Sequence, residues 1–148
     1  MAKISIKVSA QSEGVYTEAR TGNHQVIIDE PVAAGGQDRG PNPLQLVLSA
    51  LAGCESIIAN MVAKEIDFDL QGIEFEIHGE VDLRGLKGDP SVRPYFETVT
   101  INAKVKTDET PERVQELQEK TDVRCPVYTM LDAAGVDIQT SWVKAKQG

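Results

Sequence analysis

Arg39-Gly-Pro-Asn-Pro-Leu-Gln-Leu-Val-Leu-Ser-Ala-Leu-Ala-Gly-Cys54-Glu55 is the stretch whose reading decides the fold. A Gly/Pro turn gives way to a run that is mostly apolar after Pro43. Asn42 is placed to cap a helix and Pro43 to occupy its first position. The pattern predicts a helix from Pro43 to about Lys64 or Glu65. Apolar residues fall on every side of it: Leu44, Leu46, Val47, Leu48, Leu51, Ile57, Ile58, Met61 and Val62. A surface helix shows one apolar stripe, and one that is apolar nearly all round is buried. Gln45, Ser49, Glu55, Ser56 and Asn60 interrupt the run, which argues against a membrane span.

On the N-terminal side, Ile4, Ile6 and Val8 alternate with Lys3, Ser5 and Lys7, the period-2 mark of a half-buried strand. Val15–Ala19 and His24–Asp29 read as two more strands, joined at Ser12-Glu13-Gly14 and Thr21-Gly22-Asn23 into an antiparallel meander. Glu30–Asn42, with Pro31, Gly35, Gly36, Gly40 and Pro41, is loop.

Beyond the helix, Ile73, Phe75 and Ile77 alternate with Glu74, Glu76 and His78, which predicts a strand over Gly72–Leu83 with one wet face. After the Gly/Pro-rich connection Arg84–Pro94, Tyr95–Thr107 alternates again and is expected to pair with that strand as a hairpin. Thr110-Pro111-Glu112 opens a second helix with a narrow stripe, Val114, Leu117 and Thr121. Cys125-Pro126 opens a third, with Cys125 at the N-cap and Val127, Met130, Leu131 and Ala134 expected on its inner face. Gly135 stops it, and Val136–Val143 is a final strand. The order, three strands, helix, two strands, two helices, strand, is that of an α+β chain read as a single domain over 1–148.

Of 148 residues, 41% are hydrophobic and 26% charged, ordinary for a globular protein. A net charge of −8 argues against nucleic-acid and anionic-membrane partners, which need a basic surface. Two cysteines and an N-terminus without a secretory pattern lead to an expectation of cytoplasmic location and reduced thiols.

The reactive side chains are Cys54, Cys125, His24 and His78. Closely spaced ligand pairs are missing, so no metal and no cofactor is expected. His78 shares its strand face with Glu74 and Glu76 and reads as solvated; His24 is in phase with Val26 and Ile28 and reads as half-buried. A cysteine in an apolar helix is often a small hydrophobe. Cys125, at a helix start, meets the positive end of the dipole, which favours thiolate. A transient disulfide between the two is chemically sensible, the deep thiol passing through sulfenic acid and the second resolving it. Reactivity at Cys54 would need a cation from elsewhere, with Arg39 and Arg20 as candidates and Glu55 as the acid holding one of them.

Gly40-Pro41-Asn42-Pro43, the apolar helix to Gly53-Cys54, Cys125-Pro126-Val127 and the trailing Val136-Asp137-Ile138 together resemble the OsmC/Ohr family. The resemblance implies an intertwined homodimer with long helices buried between sheets and reactive sites at the subunit interface. It also implies thiol peroxidase chemistry on organic hydroperoxides, in oxidative or osmotic stress defence. Cys54 would be the peroxidatic thiol, Cys125 the resolving one, Arg39 or Arg20 the activating cation, and an external dithiol the reductant. Family peroxidases carry glutamate directly after the asparagine–proline pair, where this chain has Leu44. That difference keeps a second expectation in play, a non-enzymatic member that binds a small apolar ligand or senses redox state at the dimer interface.

Overall fold

The computed structural model describes residues 2–146, and the chain forms two compact units, one ending at Val47 and one beginning at Leu48. The first holds a three-stranded antiparallel sheet, β1 (Ser9–Glu13), β2 (Tyr16–Thr21) and β3 (His24–Ile28), in the order β1-β2-β3. Its two-residue hairpin loops begin with Gly14 and Gly22, whose φ values of 61° and 56° suit glycine at the first position of a tight turn. The first strand therefore lies later than the alternation of Ile4–Val8 predicts. The Gly14-Val15 loop sets Ser9 opposite Arg20, and β2 ends at Thr21, so β2 offers residues 4–8 no ladder. Ile4 and Ile6 are 85% and 80% exposed. His24, expected half-buried, is exposed at the start of β3, where the Gly22-Asn23 turn puts it on the rim.

The loop after β3 is organised around Asp29, which is 1% exposed. Its carboxylate accepts from the backbone N–H groups of Glu30 (2.8 Å), Gln37 (3.2 Å) and Arg39 (3.2 Å). Burial works against the charge, yet those donors hold the carboxyl below its usual range. A Cβ on Gly40 would collide with the Ile27 carbonyl, so only glycine lets this loop close against β3. Helix α1 (Pro43–Glu65) follows. Asn42 Oδ1 accepts from Gln45 N–H at 2.8 Å and Gln45 Oε1 from Asn42 N–H at 2.9 Å, a reciprocal capping box.

The second unit is built on β4 (Gly72–Glu80), β5 (Thr98–Lys106) and β6 (Asp137–Lys144), with β5 in the centre. β4 pairs with β5 antiparallel and β6 with β5 in parallel. A parallel neighbour needs a long crossover, supplied by α3 (Pro111–Asp122) and α4 (Pro126–Ala133). The connection from β4 to β5 is not the plain loop expected of it. It contains a four-residue helical turn, α2 (Leu83–Leu86), capped by Asp82, which accepts from Arg84 N–H.

The core joins Ala59, Val62 and Ala63 of α1 to Phe68, to Ala103 and Val105 of β5, to Val114 and Leu117 of α3 and to Trp142 of β6. Trp142 meets Phe75 edge-to-face, with ring centroids 5.9 Å apart. Within one chain, α1 is buried on one side only, along Leu51, Glu55, Ala59, Val62 and Ala63. Ile57 and Met61 are 64% and 47% exposed, so the all-round burial read from composition is not met by a single chain. In α4, Met130 and Ala134 are exposed, and Val127, Tyr128 and Leu131 form the half-buried side. The helix stands on its N-terminal turn, where Pro126 starts it, and its face is rotated from the simple apolar count. Leu117→Ala should cost about 2–5 kcal/mol in chemical denaturation. Met130→Ala should stay within about 0.5 kcal/mol of the parent.

Candidate active site

Cys54 projects from the middle of α1, one residue before the fully buried Glu55. Cys125 reaches the same place from the junction of α3 and α4. Its backbone is fixed on both sides: its N–H donates to the Thr121 carbonyl at 3.0 Å, and its carbonyl accepts from Thr129 Oγ1 at 2.8 Å. Pro126 forces Cys125 out of the α region, to φ −73° and ψ 114°, which makes it the N-cap of α4. Its sulfur takes up the Tyr128 N–H at 3.5 Å. The two sulfurs, 71 positions apart in sequence, lie 2.8 Å apart, with the Cys125 thiol donating to Cys54. Both are free thiols; Cys54 is half-buried and Cys125 fully buried.

The helix start does not make Cys125 a thiolate, contrary to the expectation from its sequence position. Burial and the hydrogen bond to Cys54 push its thiol up to about 12, and these outweigh the single N–H of Tyr128. Cys54 is therefore the thiol that solvent reaches, and Cys125 carries its proton until something removes it.

Glu55 was expected to hold an arginine. No lysine or arginine of its own unit pairs with it among the described residues. It faces the Asp122 carboxyl, at the last residue of α3, and the Cys125 thiol. Neither Glu55 oxygen has a donor in hydrogen-bonding geometry, and Asp122 Oδ1 likewise has none. Asp122 Oδ2 receives only Gln118 Nε2, at 3.4 Å. Desolvation, then the charge of the neighbouring Asp122, raises Glu55 to about 8, and burial raises Asp122 as well. Two buried carboxyls in contact cannot both ionise, so the pair shares a proton near neutrality. Asp122 was not anticipated. Its signal was available: an acid four residues after Gln118, at the unfavourable negative end of its helix, three residues before Cys125.

Arg39 belongs to the unit that ends at Val47. Its Nε lies 3.4 Å from Asp29 and its guanidinium stacks 3.7 Å over the Tyr16 ring. Arg20, on β2 of the same unit, is exposed. Among the described residues no group of three or more His, Cys, Asp or Glu side chains is arranged to hold a metal ion.

The family model described as OsmC-like protein matches residues 35–141. The chain belongs to the OsmC-like family. The OsmC-like protein of Mycoplasma pneumoniae superposes with a TM-score of 0.84 at 18% identity, covering 99% of this chain and 100% of that one. The organic hydroperoxide resistance protein OhrB of Bacillus subtilis superposes with a TM-score of 0.67 at 25% identity, covering 94% and 98%. An organic hydroperoxide resistance protein from Elizabethkingia anophelis does so at 0.77 and 18%, covering 97% and 99%. No curated protein shows a significant sequence match.

The carboxyl pair makes stability depend on pH with a definite sign. A carboxyl raised in the folded state stabilises the fold fully below its unfolded pKa, and that contribution is lost as pH rises through the folded value. For Glu55 the window runs from 4.5 to about 8. Unfolding free energy measured by denaturant at several pH values should fall across this window by a few kcal/mol. Glu55→Gln should flatten that slope.

Proposed function

We propose that this OsmC-like protein is a cytoplasmic thiol peroxidase that reduces organic hydroperoxides, through Cys54 as the attacking thiol and Cys125 as the resolving one. The observation that carries the reading is the apposed pair, 2.8 Å between sulfurs with only Cys54 reachable. The Cys54 sulfur attacks the O–O bond, the alcohol leaves with a proton, and Cys54 becomes a sulfenic acid. Cys125 then attacks that sulfur, water leaves, and a disulfide remains. An external dithiol returns both sulfurs to thiols and is itself oxidised to a disulfide. No cofactor enters this cycle. The family's activating arginine corresponds to Arg39 or Arg20, and comparing Arg39→Gln with Arg20→Gln tells which one turnover needs.

The working form in this reading is a homodimer. Ile57 and Met61 leave an apolar strip of α1 open in one chain, and a second copy would cover it. Sedimentation should give twice the mass of one chain.

A second reading is supported by Leu44 and by the acids around the thiols. A carboxyl pair beside Cys125, with no cation from the same unit, suits a protein that is oxidised once and reports it, or one that binds a small apolar ligand. Turnover separates the two. With an organic hydroperoxide and dithiothreitol in excess, the peroxidase consumes many equivalents and Cys54→Ser consumes none; with hydroperoxide and no dithiothreitol, Cys125→Ser accumulates a sulfenate trappable by dimedone. Consumption that stops at one equivalent per chain gives the sensor reading, and unchanged turnover in Cys54→Ser removes the peroxidase one.

A further inference from the structure

Glu55 has no evident structural reason to be where it is. Its position lies in the one stripe of α1 that is packed away from water, between Leu51 and Ala59, where an alanine or leucine would serve the core. It is fully buried, and Asp122, its neighbour, is 8% exposed. Two acids are thus enclosed together without a cation of their unit among the described residues. An enclosed acid pair of this kind destabilises a fold unless it holds a proton. The third group they enclose is the Cys125 thiol, itself 0% exposed and hydrogen-bonded to Cys54.

That enclosure creates a chemical need. For a disulfide to close, Cys125 must lose its proton and the group leaving Cys54 must gain one. Cys125 is fully buried, so bulk water reaches its proton poorly and a neighbouring group is better placed to take it. The groups facing Glu55 are Asp122 from α3, Cys125 from the start of α4, Tyr128 from the first turn of α4, and Cys54 beside it on α1. Tyr128 is held up to about 12 by burial and by the two acids, so it keeps its proton throughout.

We propose that the Glu55–Asp122 carboxyl pair is the acid–base partner of the thiol pair, with Glu55 taking the Cys125 proton as the disulfide closes and the pair delivering a proton to the group that leaves Cys54. Resting on the peroxidase reading, the step is written with a sulfenic acid at Cys54. The Cys125 S–H bond breaks, its proton passes to the carboxyl pair, and the S–S bond forms. The Cys54 S–O bond breaks and hydroxide leaves as water with the proton the pair supplies. The sulfenic sulfur is reduced by one unit, the Cys125 sulfur is oxidised by one, and the pair ends with the proton count it started with. A singly protonated carboxyl pair is both acid and base, which is the state that like-charge repulsion enforces. Glu55 is then a catalytic residue of closure, and Asp122 a positioning residue that acts through it.

The test isolates closure from oxidation. The reduced protein is mixed with cumene hydroperoxide in one series and diamide in another, and acid-quenched samples are read by mass for adduct and disulfide. Closure is the first-order step, independent of oxidant concentration. With diamide, Cys54 adds across the N=N bond, Cys125 displaces the hydrazine, and the same proton must move. In the parent protein, closure should be fast through neutrality and fall above about pH 8, as the pair loses the proton it delivers. Glu55→Gln should close about 10²-fold more slowly at pH 7 and speed up tenfold per pH unit, since hydroxide alone then removes the proton. Asp122→Asn should move the high-pH fall to lower pH, because the like charge that raises Glu55 is gone. A Glu55→Gln profile that overlays the parent overturns the proposal; if that variant does not fold, an unmoved fall in Asp122→Asn overturns it. Hydroperoxide that fails to oxidise Cys54 removes the peroxidase reading, and the diamide series then decides this proposal alone.

Discussion

The buried stripe of α1 is the constraint from which the rest of the second unit follows. Ala59, Val62 and Ala63 meet the apolar side of β5 and the inner side of α3 in one continuous core. One further turn towards the N-terminus, the same stripe presents Glu55. A carboxyl group cannot be enclosed as an isolated ion without a penalty of several kcal/mol. The end of α3 answers it with another acid, so that a shared proton replaces a counter-ion. The α3–α4 junction then brings Cys125 onto the same spot, and the geometry of Pro126 aims its sulfur at Cys54. Core packing, a shared proton and a thiol pair are consecutive levels of one arrangement.

The unit ending at Val47 solves a different problem by the opposite means. Asp29 is also buried, but it stays charged, because three backbone N–H groups and the Arg39 side chain converge on it. One buried acid is ionised by its hydrogen bonds and another is kept protonated by their absence. The first orders a glycine-rich loop and presents an arginine stacked on Tyr16. The second keeps exchangeable protons beside two thiols.

Much of this was legible in the chain itself. Asn42-Pro43 and Cys125-Pro126 mark helix starts through local rules, the missing N–H and fixed φ of proline and the capping reach of Asn and Cys, and both starts stand where those rules put them. The alternation of Val99, Ile101, Ala103 and Val105 marks the central strand's buried face, and all four are buried. Ile4–Val8 misled, because alternation records what a strand could bury and not whether a partner strand is long enough to pair with it. Met130 misled in a similar way: an apolar residue at helical spacing still depends on how the helix is rotated against the sheet. The thiolate read for Cys125 failed because a helix end is one donor, while burial acts on the whole group.

By itself, then, the sequence determined the order of the six strands and three longer helices and the helix starts, since these are set by short-range sterics and periodicity. Only the tertiary structure decided what surrounds the two cysteines. Glu55 and Asp122 are 67 positions apart (122 − 55) and carry no pattern linking them. Their contact, the parallel placement of β6 and the one-sided burial of α1 all arise from long-range packing. Electrostatic character depends on which groups are enclosed together, and that is a property of the folded chain and not of any segment of it.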